Sequence, residues 1–262
     1  MNNFVNLENL NEDQKKIALE QLKYIPKNIL LDNEISNFFK ENDYVKIENF
    51  LNSETLSLLY SYVKNENLRL SYIKKNNINY ENFKNFYGTF DDEQALGDFS
   101  RYGCLIFDTL LENSLNQMEY FTGKNLIPTY SYHRLYTTNT DLKKHIDRPS
   151  CEISTTLCLG YDISNIDKNF YPNYNWPMFI KKNNKEIPVY LNPGDMLVYK
   201  GHEIEHWREP FLGINHAQVF LHYNEKNGKF NNLYDNRPML GVPSFLKNKN
   251  KKLEDFTFTK II

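Results

Sequence analysis

Thr129-Tyr-Ser-Tyr-His-Arg-Leu-Tyr136 is the stretch on which the fold turns, because it is rich in the aromatic and β-branched residues that suit a pleated strand. The same texture recurs downstream in Glu152–Leu159, Pro177–Lys181, Ile187–Leu191, Met196–Tyr199 and Ala217–Tyr223. Turn signals such as Asn192-Pro193-Gly194-Asp195 separate these runs. Short strands in this number, following a helical first third, predict a mainly β (α+β) chain. The expected architecture is a β-sandwich or jelly roll, with the N-terminal helices packed on one sheet.

Working outward from that core, residues 7–31 carry a helical pattern with Ile17, Leu19 and Leu22, interrupted at Pro26. A short helix is expected near Ile35–Phe39 and a strand at Tyr44–Ile47, after which Ser53 serves as an N-cap. Leu56, Leu59, Tyr60 and Val63 then mark the buried face of a helix. Residues 65–103 show no clear period and read as loop and surface structure able to cover a site. A second helix is predicted from Leu105 to Phe121, with Phe107, Leu110, Leu111 and Met118 on one side and Gly123 past its end. A single domain over 1–262 is expected, with a helical part and lid at 1–125, a β core at 126–224 and a C-terminal extension at 225–262.

At 262 residues, with 40% hydrophobic residues and a net charge of -2, the chain can bury a sizeable core and shows no basic bias. Nucleic acid and membrane are therefore not expected as partners. No run of some eighteen apolar residues occurs and the N-terminus lacks a secretion pattern, so the cytoplasm is the expected location. Cys104, Cys151 and Cys158 are too few and too far apart for a disulfide framework or a zinc motif, and read as reduced thiols.

All six histidines, at 133, 145, 202, 206, 216 and 222, fall inside the β-rich region. Histidine is the commonest transition-metal ligand, which makes this clustering informative. His145-Ile146-Asp147 would place an imidazole and a carboxylate on one side of a strand. His206 follows Asp147 by fifty-nine residues and is the candidate third ligand. Two histidines and one carboxylate on one face of a metal leave three positions open. His202-Glu-Ile-Glu-His206 also matches the H-E-x-x-H zinc-protease pattern, but that pattern requires a helix, and Gly201 and Pro210 bracket this segment.

With these residues the sequence resembles the 2-oxoglutarate and Fe(II)-dependent oxygenases, specifically the prolyl 4-hydroxylase-like branch with its double-stranded β-helix, cupin-like core. The resemblance covers roughly 126–224 and, more faintly, Tyr44–Leu51; Pro193-Gly-Asp-Met-Leu-Val-Tyr199 is similar to the strand before the distal histidine. It implies His145, Asp147 and His206 as iron ligands and as the catalytic set. It implies Fe(II), 2-oxoglutarate and O₂ as the cofactor and cosubstrates, with ascorbate as an accessory reductant. Tyr136, nine residues before His145, stands where the branch places a tyrosine that touches 2-oxoglutarate.

The expected product set is succinate, CO₂ and a hydroxylated amino acid, peptidyl-prolyl or small-molecule substrate. Hydroxylation is favoured over halogenation, since Asp147 stands where related halogenases carry a small residue. One departure concerns the Arg or Lys usually found ten residues after the distal histidine, where this chain has His216. His216 and Arg208 stay as equal candidates for the far carboxylate of 2-oxoglutarate, with Arg134 and Gln218 behind them. Arg148 and Trp207 are candidate substrate contacts. The alternative reading is a non-catalytic cupin-like metal- or ligand-binding module, for which His216 is the main argument.

Overall fold

The computed structural model describes residues 33–247 and Asp13. The helix expected over 7–31 therefore lies, Asp13 apart, outside the described residues. Among the residues from 33 to 247, five α-helices and ten strands follow in chain order, with three short 3-10 turns besides. They are α1 (Glu34–Asn42), β1 (Tyr44–Ile47), α2 (Ser53–Lys75), α3 (Tyr80–Tyr87), β2 (Phe99–Tyr102), α4 (Leu105–Asn113), α5 (Leu115–Thr122), β3 (Leu126–Thr137), β4 (Leu142–His145), β5 (Ile153–Asp162), β6 (Met178–Lys182), β7 (Lys185–Val189), β8 (Met196–Tyr199), β9 (His206–Arg208) and β10 (Asn215–Glu225).

A six-stranded antiparallel sheet, ordered β1-β8-β5-β10-β3-β2, faces a four-stranded one ordered β4-β9-β6-β7. Cys158, Leu197 and Tyr199 from the larger sheet pack between the sheets against Met178, Ile180 and Val189 from the smaller. On its outer side the larger sheet buries Leu135, Leu157, Val219 and Leu221 against Leu59, Val63 and Leu70 of α2 and Phe107 and Leu111 of α4. The jelly roll with helices on one sheet is thus the observed architecture. Among the described residues no helix is long and apolar enough to cross a membrane.

The stretch 65–103 corrects the expectation of loop. Helix α2 runs on to Lys75, α3 follows, and β2 joins the edge of the larger sheet. Leu59, Val63, Glu66, Leu70 and Ile73 are all buried, at alternating four- and three-residue spacings that continue one helical stripe. The buried Glu66 breaks the apolar pattern and hides that continuity from a hydrophobic count. The helix predicted from 105 to 121 is two helices that meet at the buried Ser114, whose ψ of -5° departs from the helical value. The N-cap of α2 is Asn52, one residue before Ser53, its side chain accepting from the Thr55 N–H at 2.8 Å. Gly123 ends α5 with a left-handed φ of 68°, as its position predicts.

The C-terminal extension packs back on the core as far as it is described. Arg237 pairs with Asp108 at 2.9 Å, and Asp235 accepts from Tyr102 at 2.6 Å and from Ser150 at 2.7 Å.

Glu66 earns its buried position by pairing. Its Oε2 lies 2.9 Å from His133 Nε2 on the outer face of β3, and Arg101 and Arg69 pair with its other oxygen. Burial disfavours the charged imidazole, but Cys104 and then Glu66 outweigh it and raise the His133 pKa to about 9. A raised pKa contributes stability fully below the unfolded value near 6.5, and that contribution is lost as pH climbs through about 9. Thermal melts of the wild type should therefore lose stability between pH 6.5 and 9.5 relative to His133→Gln, by on the order of 1–3 kcal/mol. Parallel pH curves for the two proteins would contradict this.

Candidate metal centre

Strands β4 and β9 pair antiparallel with His145 directly opposite His206. Cross-strand neighbours of this kind bring side chains on the same face together, and the two imidazole rings sit 4.2 Å apart between centroids. Asp147 lies two residues beyond the end of β4, so the loop rather than the strand aims it. Its Oδ1 is 3.6 Å from His145 Nε2 and 3.5 Å from His206 Nε2. One ligand atom from each of the three residues falls within 4.8 Å of the others. Two such atoms bound at right angles to one metal with bonds of about 2.1 Å would stand about 3 Å apart. The observed spacing is therefore close to what one ion would draw together.

Both imidazoles are held in one tautomer. His145 Nδ1 lies 2.8 Å from the Lys143 carbonyl and His206 Nδ1 lies 2.9 Å from the Ile204 carbonyl. A carbonyl only accepts, so each Nδ1 carries the proton and each Nε2 presents a lone pair to the shared point. Burial opposes ionisation of Asp147, yet the His145 and His206 rings beside it hold its carboxyl well below the usual carboxylate range. This donor set fits a divalent transition metal of the kind held by two histidines and a carboxylate.

The three residues line a cavity of 390 Å³. One wall is the inward row of β3, namely Tyr130, Tyr132, Arg134 and Tyr136; Phe220 and His222 of β10 stand beside it. Met178, Tyr199 and Arg208 close the inner end, and Asp92 and Gln94 reach in from the loop before β2. Tyr136 and Arg134 were legible from the sequence. Tyr130 and Tyr132 follow from the same two-residue period, which would have found them. Asp92, paired with Arg134, came from a polar loop with no local signal.

Arg208 is the most unusual group in the wall. Its side chain is fully buried and lies 4.6 Å from the Trp176 ring centroid, and its Nη1 donates to the Trp176 carbonyl at 2.9 Å. Its Nη2 is buried without a hydrogen-bond partner, and among the described residues no carboxylate pairs with it. Burial pulls its pKa below the usual arginine value. A buried cation left this way costs several kcal/mol unless an anion meets it, so a carboxylate ligand fits here.

Other candidates are placed differently. His216 and Gln218 do not line the cavity. Tyr161, Trp176 and Phe211 surround the His216 ring, and the Gln218 amide donates to its Nδ1 at 3.1 Å. Burial, and after it the nearby Arg208 charge, push the His216 pKa well below its ordinary value, so it is a neutral imidazole and no match for a carboxylate. Trp207 also faces away, since alternation along β9 turns His206 and Arg208 inward and stacks Trp207 on Phe179 at 5.4 Å. Arg148 lines the cavity, but its fork is occupied by Asp235 at 2.9 and 2.6 Å. Residues 201–203 form a turn that ends in a bend at Ile204, and His202 packs on Phe230, so the helical context of a zinc protease is absent from this segment.

Metal binding gives a direct check. Alanine at His145, Asp147 or His206 should weaken Co(II) binding by more than the roughly 10–100-fold that loss of a supporting partner costs. Isothermal titration of the purified chain reads this, and unaltered affinity in any of the three would remove that residue from the set.

No family model and no curated protein sequence matches the chain. Solved structures do. A Pseudomonas putida prolyl-4-hydroxylase superposes with a TM-score of 0.52 at 14% identity, over 73% of this chain and 97% of that one. HygX from Streptomyces hygroscopicus, solved with nickel and 2-oxoglutarate bound, gives a TM-score of 0.53 at 10% identity over 76% and 89%. EctD from S. alaskensis, solved with 2-oxoglutarate and 5-hydroxyectoine, gives 0.53 at 10% identity over 84% and 84%. The backbone that brings His145, Asp147 and His206 together is thus similar to the jelly-roll fold of the 2-oxoglutarate and Fe(II)-dependent oxygenases, including a prolyl hydroxylase.

Proposed function

We propose that this chain is an Fe(II)- and 2-oxoglutarate-dependent dioxygenase that hydroxylates an unactivated C–H bond. The substrate class is an amino acid, a peptidyl-prolyl residue or another small molecule. The observation that carries the reading is the coexistence, in one cavity, of a two-histidine, one-carboxylate donor set and a buried arginine with no anion of its own. The fold similarity to HygX and EctD, both solved with 2-oxoglutarate, supports it.

His145, Asp147 and His206 would hold the iron, and Arg208 would take the far carboxylate of 2-oxoglutarate. When bound, Fe(II) and 2-oxoglutarate supply the oxidative chemistry with O₂ that releases succinate and CO₂ and places one oxygen atom on the substrate. The chain's own work is orientation and exclusion of water. Arg208 lies two residues from His206 along β9, roughly 7 Å of strand, and points to the same side, which sets one end of a short diacid against the metal and the other against the guanidinium. The guanidinium can meet that carboxylate through two parallel N–H donors. The Tyr136 hydroxyl, which accepts from Arg134 at 3.2 Å, faces the same cavity and is free to donate its own proton to the cosubstrate. Tyr130, Tyr132 and Phe220 form the aromatic wall left for substrate, with Arg148 as a lining residue rather than a free anion receptor.

Purified protein with Fe(II) should convert 2-oxoglutarate to succinate, and Asp147→Ala should abolish the conversion. Arg208→Met should raise the KM for 2-oxoglutarate by about 30-fold or more, the loss expected when a buried charge pair loses one partner. His216→Gln should leave that KM within a few-fold. A normal KM in Arg208→Met, or succinate formation by Asp147→Ala, would each overturn the assignment concerned. Iron binding with no turnover of 2-oxoglutarate would favour the cupin-like binding module instead.

A further inference from the structure

We propose that Ser154 is a positioning residue that makes Asp147 a one-oxygen metal ligand, with His222 and Gly201 completing the clamp. The inference rests on reading His145, Asp147 and His206 as the metal centre. Asp147 needs such a device because it stands outside the strand that aims His145. Its backbone N–H donates to the Gly201 carbonyl at 2.8 Å, which anchors the loop but not the carboxylate. The carboxylate is oriented by Ser154, whose hydroxyl donates to Oδ2 at 2.7 Å. Oδ1 is then the oxygen turned toward the Nε2 atoms of His145 and His206.

The proton count supports this division. A carboxylate only accepts, so the single Ser154 proton goes to Asp147. His222 Nδ1, 3.0 Å from the Ser154 oxygen, must then be the donor in that contact. The chain of donors runs one way, from His222 through Ser154 to Asp147, and occupies Oδ2.

Ser154 itself is rigidly placed. It is fully buried on β5, paired with His222 of β10 on one side and Tyr199 of β8 on the other. Gly201 leaves the room. A Cβ on Gly201 would overlap both Ser154 Oγ and Asp147 Oδ2, and its φ is not in the left-handed region, so glycine is required there for space. Three residues from separate parts of the chain are therefore built around one carboxylate oxygen. The consequence is that Asp147 takes one position on the metal rather than two, which keeps three open for cosubstrate and O₂.

The test uses Co(II) titration of the purified full chain, followed by isothermal calorimetry and by the visible absorption of the bound ion. Ser154→Ala should bind Co(II) about 10–100-fold more weakly, the usual effect of losing a partner behind a ligand. The intensity of its Co(II) band should also change, because a released carboxylate can turn to bind through both oxygens. Ser154→Thr, which keeps the hydroxyl, should stay near wild type in both readouts. Should Ser154→Ala fail to fold, His222→Gln and Gly201→Ala carry the same expectation. Wild-type affinity and spectrum in the folded variants overturn the inference while leaving the metal centre standing, as does an equal loss in Ser154→Thr and Ser154→Ala. Failure of the wild type to bind Co(II) overturns both.

Discussion

The antiparallel pairing of two very short strands, β4 and β9, is the constraint on which the site depends. It sets His145 opposite His206 although sixty-one residues separate them in the chain. Strands of four and three residues have little stability alone, and β9 is held because β6 pairs with its other edge. The smaller sheet in turn survives because Met178, Ile180 and Val189 bury against the larger one. The metal geometry is thus a product of the sandwich core, and loosening that core would part the imidazoles.

A second layer of order comes from how the interior treats charge. Most buried ionic groups here are neutralised in place: Glu66 by His133 and Arg101, Asp235 by Arg148, Arg237 by Asp108, Arg134 by Asp92. Arg208 breaks that pattern, and it does so inside the cavity that also holds the two-histidine, one-carboxylate set. An interior that pairs its other arginines with carboxylates and leaves this one without an anion is the physical sign of a binding site, since an unpaired buried charge is a cost that a ligand can offset. The same logic separates Arg208 from His216. Burial removes the charge of an imidazole easily and of a guanidinium hardly at all, so only the arginine can wait as a cation in such a place.

The organisation around Asp147 shows how a loop residue is given the precision of a strand residue. The β5–β10 ladder supplies Ser154 and His222 from rigid positions, and the glycine at 201 lets the carboxylate approach them. Positioning by packed, hydrogen-bonded neighbours in this way is what keeps a reactive constellation within a fraction of an ångström of its working geometry.

Much of this was readable without coordinates. Runs rich in aromatic and β-branched residues, separated by turn residues, from Leu126 onward determined the β core, and the residue types His, Asp and His at 145, 147 and 206 pointed to a metal because few other arrangements use them. The family resemblance also singled out Tyr136, and Arg134 stood among the candidates for the far carboxylate of 2-oxoglutarate. Local pattern failed where burial and polarity part company: the buried Glu66 concealed the second half of α2, and three-residue β9 is too short to show any period. Which way His216, Trp207 and Arg208 face, which arginine lacks an anion, and which oxygen of Asp147 is left free were decided only by the tertiary structure. Those properties belong to pairs of residues distant in the chain, and a one-dimensional pattern carries the chemistry of each residue but not the identity of its neighbours.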